Sequence, residues 1–196
     1  MRRGFLLAIL FFSAQAQATA YLGGSYGLGD FTSPELKDRK ASLKGNSYGG
    51  FFGVGKAFLG LEGFYTALNT TGKIKHENQS YDMKSNTQAF GAAMRVSFEI
   101  IYLRLGLARF NLDQSIDMPS GTSHQAADKI YNIQDGTSKG GLLFGIGMHK
   151  KIGPGRAFVD FARYQITDID HYDTFSVGYA FTLSDSWLPT LAGDKD

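Results

Sequence analysis

Apolar positions recur at every second residue along most of this chain. The last stretch shows it most cleanly: Phe175, Val177, Tyr179, Phe181 and Leu183 share one parity, and Ser176, Gly178, Ala180 and Thr182 the other. Successive side chains of a β-strand point to opposite faces, so the pattern predicts strands with one apolar face each. Eight segments carry it. The first runs from about Ala20 to Phe31, with Leu22, Tyr26 and Leu28 on the apolar face and Tyr21, Gly23, Ser25 and Gly27 opposite. The second, Ser47 to Phe58, turns almost at once into the third, Leu59 to Leu68, which sends Leu59, Leu61, Tyr65 and Ala67 one way and Glu62 and Thr66 the other. The fourth aligns Phe90, Ala92, Met94, Val96 and Phe98, and Glu99-Ile100 reverses it into the fifth, with Ile101, Leu103, Leu105 and Leu107. The sixth aligns Leu142, Phe144, Ile146 and Met148; Ile152-Gly153-Pro154-Gly155 turns it into the seventh, with Ala157, Val159 and Phe161.

The connections alternate between tight turns and polar stretches. Thr32 to Asn46, Asn69 to Asn86, Asn111 to Lys139 and a shorter stretch at Asp168 to Asp173 are rich in Asn, Asp, Ser, Gln and Gly and predict loops. Eight apolar faces also need a cover. A soluble sheet hides its apolar face against other elements, and this chain has none to spare, so lipid is the simplest cover. The fold class expected is all-β: an eight-stranded antiparallel up-and-down transmembrane β-barrel, closed so that no sheet edge meets lipid. A soluble lipocalin-like barrel is the distant alternative. Bacterial barrels put short turns in the periplasm and long loops outside, which leaves both termini periplasmic. Phe58, Phe98 and Phe181 then fall at the inner interface and Tyr26 and Tyr65 nearer the outer one.

The N-terminus supports export. Arg2 and Arg3, an apolar run from Gly4 to Phe12, and the small residues around Ala14, Ala16 and Ala18 read as a signal peptide over 1–18, leaving a barrel over 19–183 and a short periplasmic C-terminal tail over 184–196. The run is far shorter than the roughly 20 residues of a membrane-spanning helix. Without Arg2 and Arg3 the basic residues fall from 20 to 18, equal to the 18 acidic ones, so the mature chain is formally neutral. A neutral chain with dispersed cations offers no case for nucleic acid. The absence of cysteine excludes disulfides, thiol nucleophiles and thiolate metal sites. No cofactor is expected.

Ala162-Arg163-Tyr164-Gln165-Ile166-Thr167-Asp168, followed by Thr174-Phe175-Ser176-Val177-Gly178-Tyr179-Ala180-Phe181, resembles the final hairpin of the outer-membrane protein A and X-like β-barrel family. The resemblance extends loosely over all eight segments. It implies an outer-membrane protein, in contact with lipid and lipopolysaccharide, with a structural or surface-interaction role in the envelope. Ser176, Gly178, Phe181 and Leu183 resemble the family's C-terminal assembly signal, which implies the barrel-assembly machinery as a partner. Such barrels usually end on an aromatic residue, whereas Leu183 closes the pattern here. Residues 184–196, with Trp187 and Leu188, are too few for the peptidoglycan-binding domain that long members carry.

Parity directs Glu62, Arg95, Arg104 and Asp160 into the barrel, with Arg95 opposite Arg104 across the fourth hairpin and the two acids at comparable depth. Four such charges can form a bidentate network. An eight-stranded barrel is just wide enough for its own side chains, so the network is expected to plug the lumen rather than line a pore for small solutes. The resembled family has an internal cluster of this kind.

Two other functions compete with the structural one. Some barrels of this size modify lipid A, which would require a serine, a histidine and a carboxylate near the outer leaflet. The candidates are His76 with Ser80 and Asp82, His124 with Ser123, and His171 with Asp170 and Asp173, while His149 lies inward near the periplasmic end. None has a histidine two residues from a serine on a lipid-facing strand, so no catalytic residue is assigned. Asp168, Asp170, His171 and Asp173 lack the denser oxygen set of a calcium loop, and no metal is expected. Binding by the loops is the other possibility. Lys37, Arg39, Lys40, Lys44, Lys73, Lys75 and Lys84 would meet anionic headgroups or an extracellular ligand, diluted by Glu35, Asp38, Glu77 and Asp82.

Overall fold

The computed structural model describes residues 19–33, 36, 41–56, 58–76, 79–118, 136–166 and 170–183; the expected signal peptide and tail lie outside them. Eight strands follow in order: β1 (Thr19–Thr32), β2 (Leu43–Lys56), β3 (Leu59–His76), β4 (Gln79–Phe98), β5 (Ile101–Asp117), β6 (Thr137–Ile152), β7 (Gly155–Gln165) and β8 (His171–Thr182). Each pairs antiparallel with the next, and β8 pairs with β1 to close the barrel. Tight turns separate β4 from β5 and β6 from β7. Glu99 takes φ of 44° in the first, a left-handed conformation that non-glycine residues seldom adopt and that a two-residue hairpin demands. Gly153 supplies the same conformation in the second at φ 57°.

The register sets the shape. Directly paired residues lead around the barrel from Leu22 through Phe52, Gly63, Ala92, Leu107, Leu142, Gln165 and His171, and return to β1 at Thr32, ten residues further along. With strands about 4.8 Å apart and a rise of about 3.3 Å per residue, that stagger implies a tilt of roughly 40° and a backbone radius of about 8 Å. Side chains fill a space of that size.

Outside, the apolar parity faces away from the protein. Leu28, Phe98 and Leu107 are 65%, 60% and 70% exposed, values no soluble core would tolerate across a whole belt. On β4 the outward run from Phe90 to Phe98 rises about 20 Å along the barrel axis at this tilt, close to the ~25 Å lipid-facing band of outer-membrane barrels.

The strands run beyond the segments that alternation marked. Most of Asn69 to Asn86 is not a loop but the outer part of the β3–β4 hairpin, and β5 continues to Asp117. The period of two persists there while its sense reverses. Beyond Leu107, β5 turns Arg109, Asn111, Asp113, Ser115 and Asp117 outward and buries Phe110, Leu112, Gln114 and Ile116. On β3, Asn69, Thr71, Lys73 and Lys75 face out while Leu68, Thr70 and Ile74 are buried. The cause is the change of solvent. Above the lipid the outer face meets water, while the inner face still has a lumen to fill. A second departure is Ala67, which has outward parity yet is buried, its methyl paired with the larger Tyr48 and Gln88.

Candidate functional site

Glu62, Arg95, Arg104 and Asp160, from β3, β4, β5 and β7, meet inside the lower half of the barrel. Arg95 and Arg104 are direct cross-strand partners. Glu62 Oε1 accepts hydrogen bonds from Tyr21 Oη at 2.9 Å and from Arg95 Nη1 at 3.3 Å. Its Oε2 lies 3.0 Å from Arg104 Nε, close enough for strong attraction although poorly aligned for a hydrogen bond. Asp160 Oδ2 accepts from Tyr102 Oη at 3.0 Å and lies 3.7 Å from Arg104 Nη1. The arrangement is charge-balanced, so no net charge is stranded away from water. Aromatic faces complete the cage: the Arg95 guanidinium stacks 3.9 Å from the Tyr102 ring centroid, and Arg104 lies near Phe51 and Phe64.

Glycines make room for these side chains. A Cβ on Gly147 would come within 2.3 Å of Tyr102 Cζ, and one on Gly53 within 2.4 Å of Tyr21 Cζ. Each large inward ring therefore lies across a neighbouring strand that offers only backbone. Sequence parity points to the four charges and places Tyr21 inward without tying it to them, and it leaves Tyr102 unmarked; Tyr21 donates to Glu62 and Tyr102 to Asp160. The available signal was an inward aromatic opposite an inward glycine.

Above this cluster the lumen is closed by a different chemistry. Tyr164 Oη and Thr66 Oγ1 are 3.0 Å apart, and Tyr172 Oη meets Ser85 Oγ at 2.6 Å and Thr87 Oγ1 at 2.7 Å. Phe31 packs on Tyr172, with ring centroids 4.6 Å apart. Around them Leu36, Leu43, Leu68, Ile74, Met83 and Leu143 are fully buried. Leu36 reaches this core from the β1–β2 connection, its amide donating to Ser33 Oγ at 3.2 Å. Between the two levels a cavity of about 20 Å³ is bounded by Arg104, Asp160, Tyr164 and Ser176, room for about one water. At the periplasmic end a wider pocket of about 460 Å³ stops at Tyr21, Arg95 and Phe158.

The histidine candidates are dispersed. Ser123, His124, Asp168 and the His76 side chain lie outside the described residues, as do Glu35, Lys37, Asp38, Arg39, Lys40 and Glu77. Ser80 and Asp82 stand exposed on β4. His171 Nε2 is 3.7 Å from Asp173 Oδ2, but both oxygens of that carboxylate already accept from Arg163 at 2.7 Å, a bidentate pair at the outer rim. His149 is buried against Tyr102, with ring centroids 5.7 Å apart. Among the described residues no group of three or more acids and histidines could hold a metal. On the extracellular part, Lys84 donates to Asp117 at 2.9 Å, which raises its ammonium above the ordinary lysine value, and Lys73 lies 4.0 Å from Asp82.

Of the residues read as an assembly signal, Ser176 and Gly178 face inward. Ser176 pairs with Asp160 across the β7–β8 ladder, and a Cβ on Gly178 would strike Phe158 Cζ at 2.3 Å. Packing alone thus requires a small residue at Gly178. Phe181 faces lipid, and Leu183, just past β8, donates its amide to the Ala20 carbonyl at 2.8 Å.

A closed ring of eight strands, apolar outside over one band and filled with neutralised charges inside, is the architecture of an integral outer-membrane barrel protein. The model of the outer membrane protein β-barrel domain family matches residues 4–184, and the chain belongs to that family. It resides in the outer membrane. In fold it is similar to Ail, the attachment invasion locus protein of Yersinia pestis, crystallised with the heparin analogue sucrose octasulfate, at 12% identity and TM-score 0.52 over 85% of this chain and 99% of that one. It is also similar to Neisserial surface protein A, at 15% identity and TM-score 0.49 over 85% and 99%, and to the outer membrane enzyme PagL, at 13% and 0.33 over 83% and 99%. At these identities the likeness is one of fold alone. No curated protein matches the sequence.

Proposed function

We propose that the protein is a non-conducting, non-enzymatic scaffold whose interior charge network rigidifies the barrel and whose extracellular wall contacts hydroxyl-rich glycan headgroups. The observation that carries the surface role is an oblique row of side chains on the outer wall. Asn46, Asn69, Asn86 and Asp113 are consecutive cross-strand partners on β2, β3, β4 and β5, all facing outward. One step lower, Gln88 and Asn111 continue the same face beside Tyr48 and Tyr65, which line a groove of about 240 Å³. Carboxamides offer paired donors and acceptors, and tyrosine adds an apolar face with a polar tip; both suit sugar hydroxyls.

Charge supports a neutral partner more than a polyanion. Ail binds a sulfated sugar analogue in the complex above, but here Lys73 and Lys84 are matched by Asp82 and Asp117 on the same wall. The plug supports a closed lumen, since an apolar layer lies between the charged cluster and the outer mouth. Two measurements test the proposal. Lipid A mass spectra from cells with and without the protein should be identical, and a defined acyl loss or gain would replace the scaffold with an enzyme. Binding of the nanodisc-embedded protein to rough and smooth lipopolysaccharide and to host-type neutral oligosaccharides should be insensitive to salt. Steep salt dependence, or no effect of Asn69→Ala with Asn86→Ala, would refute the amide-wall contact.

A further inference from the structure

We propose that the periplasmic mouth of the barrel is a binding site for a small organic phosphate. The pocket there, about 460 Å³, falls within the ~300–1,000 Å³ typical of small-molecule sites. Three cations line it, Arg95, Lys151 and Arg156, and among the described residues no carboxylate does. Arg95 carries the strongest argument. Its side chain is only 9% exposed, one terminal nitrogen is shared with Glu62 at 3.3 Å, and its Nε is buried without a hydrogen-bond partner. Arg95 lines the pocket, and an anion seated there would lie within range of its guanidinium charge.

The lining also decides which anion fits. Lys151 and Arg156 at the opening, with the Glu62-paired Arg95 behind them, favour a dianionic phosphate monoester over a monovalent carboxylate, and arginine matches phosphate geometry in a bidentate manner. Leu59 and Phe158 supply an apolar wall for the organic part, and Ser97 adds a hydroxyl. Lys151 and Arg156 are direct cross-strand partners on β6 and β7 and both are exposed, so they frame the entrance while Arg95 forms its floor. Removal of an export signal near Ala18 would add the new α-ammonium of Thr19, which also lines the pocket.

The test is a titration of the full mature barrel, in a phosphate-free maltoside detergent, with glucose 1-phosphate, inorganic phosphate, acetate and glucose, followed by phosphorus NMR and calorimetry. Glucose 1-phosphate should bind saturably and more tightly than inorganic phosphate, with acetate weaker and glucose silent. Lys151→Ala with Arg156→Ala, both at the exposed rim, should weaken the phosphate ester roughly tenfold while leaving the unfolding midpoint unchanged. No saturable binding, or affinity that the double variant does not alter, would overturn the site. Equal binding of inorganic phosphate and the ester would overturn the role assigned to the apolar wall.

Discussion

Arg104 stands between two buried acids, 3.0 Å from Glu62 and 3.7 Å from Asp160, so its removal is the sharpest test of the network. Arg104→Ala leaves two carboxylates facing one guanidinium. Deleting one partner of a buried pair costs about 3–5 kcal/mol. The stranded carboxylate has one escape, proton uptake, which at pH 7 costs about 1.4 kcal/mol for each unit above the ordinary carboxyl value near 4.3, or about 4 kcal/mol in all. The two routes agree on a loss of about 4 kcal/mol at pH 7. In the variant the folded state then holds a proton that the unfolded chain releases, so its stability falls as pH rises. The penalty should shrink to about 1 kcal/mol near pH 5. Removing the surplus acid as well, with Asp160→Asn, should recover at least half of the loss. Equilibrium urea unfolding in lipid vesicles, followed by far-ultraviolet circular dichroism and by the folded fraction on unheated gels, measures this. A loss that is the same at pH 5 and pH 8, or a double variant no better than the single one, would refute the electrostatic reasoning.

Other perturbations probe the remaining features. Gly147→Ala puts a methyl into Tyr102 and should cost about 1–3 kcal/mol by overpacking, read from the same urea midpoints. Tyr172→Phe leaves the hydroxyls of Ser85 and Thr87 without their shared partner and should cost about 1–3 kcal/mol. Leu105→Arg, in the middle of the outward apolar band, should lose about 2–4 kcal/mol in a bilayer, whereas Asn86→Arg above the band should be close to neutral; equal effects would misplace the membrane. Glu99→Gly relieves a left-handed backbone and should stabilise by up to about 1 kcal/mol, and a destabilised variant would show that Glu99 is held there by its side chain.

The lipid-facing part of the fold was legible because lipid imposes a single rule on every strand: apolar residues on the outward parity. The β4–β5 hairpin, with unbroken runs from Phe90 to Phe98 and from Ile101 to Leu107, shows this best. The extracellular extensions escaped the same rule because Lys73, Asn86 and Asp113 look like loop residues when apolar is equated with outward. The inward residues of the same strands, Ile74, Met83 and Ile116, look like scattered exceptions until the change of solvent is included. The four charges followed from parity alone. What parity could not supply was the cage around them, because Tyr21 reaches Arg95 from β1 across the lumen, and Tyr102, diagonal to Arg95 in the β4–β5 hairpin, carries no mark in the alternation that sets it apart. The periplasmic pocket was hidden for the same reason, since Arg95, Lys151 and Arg156 come from three strands and two different hairpins.

The reversal of alternation partway along the strands also bears on how faithfully the sheet finds its pairing. A one-residue slip of a strand turns every side chain to the opposite face. In β5 such a slip would push Arg104 into lipid and, on the same strand, push Leu112 and Ile116 into water while drawing Asp113 and Asp117 into the lumen. The error is penalised on both levels by two different solvents, and no compromise alignment spares one level at the expense of the other. A barrel whose strands cross from lipid into water with their apolar side exchanged thus carries its own proofreading of register.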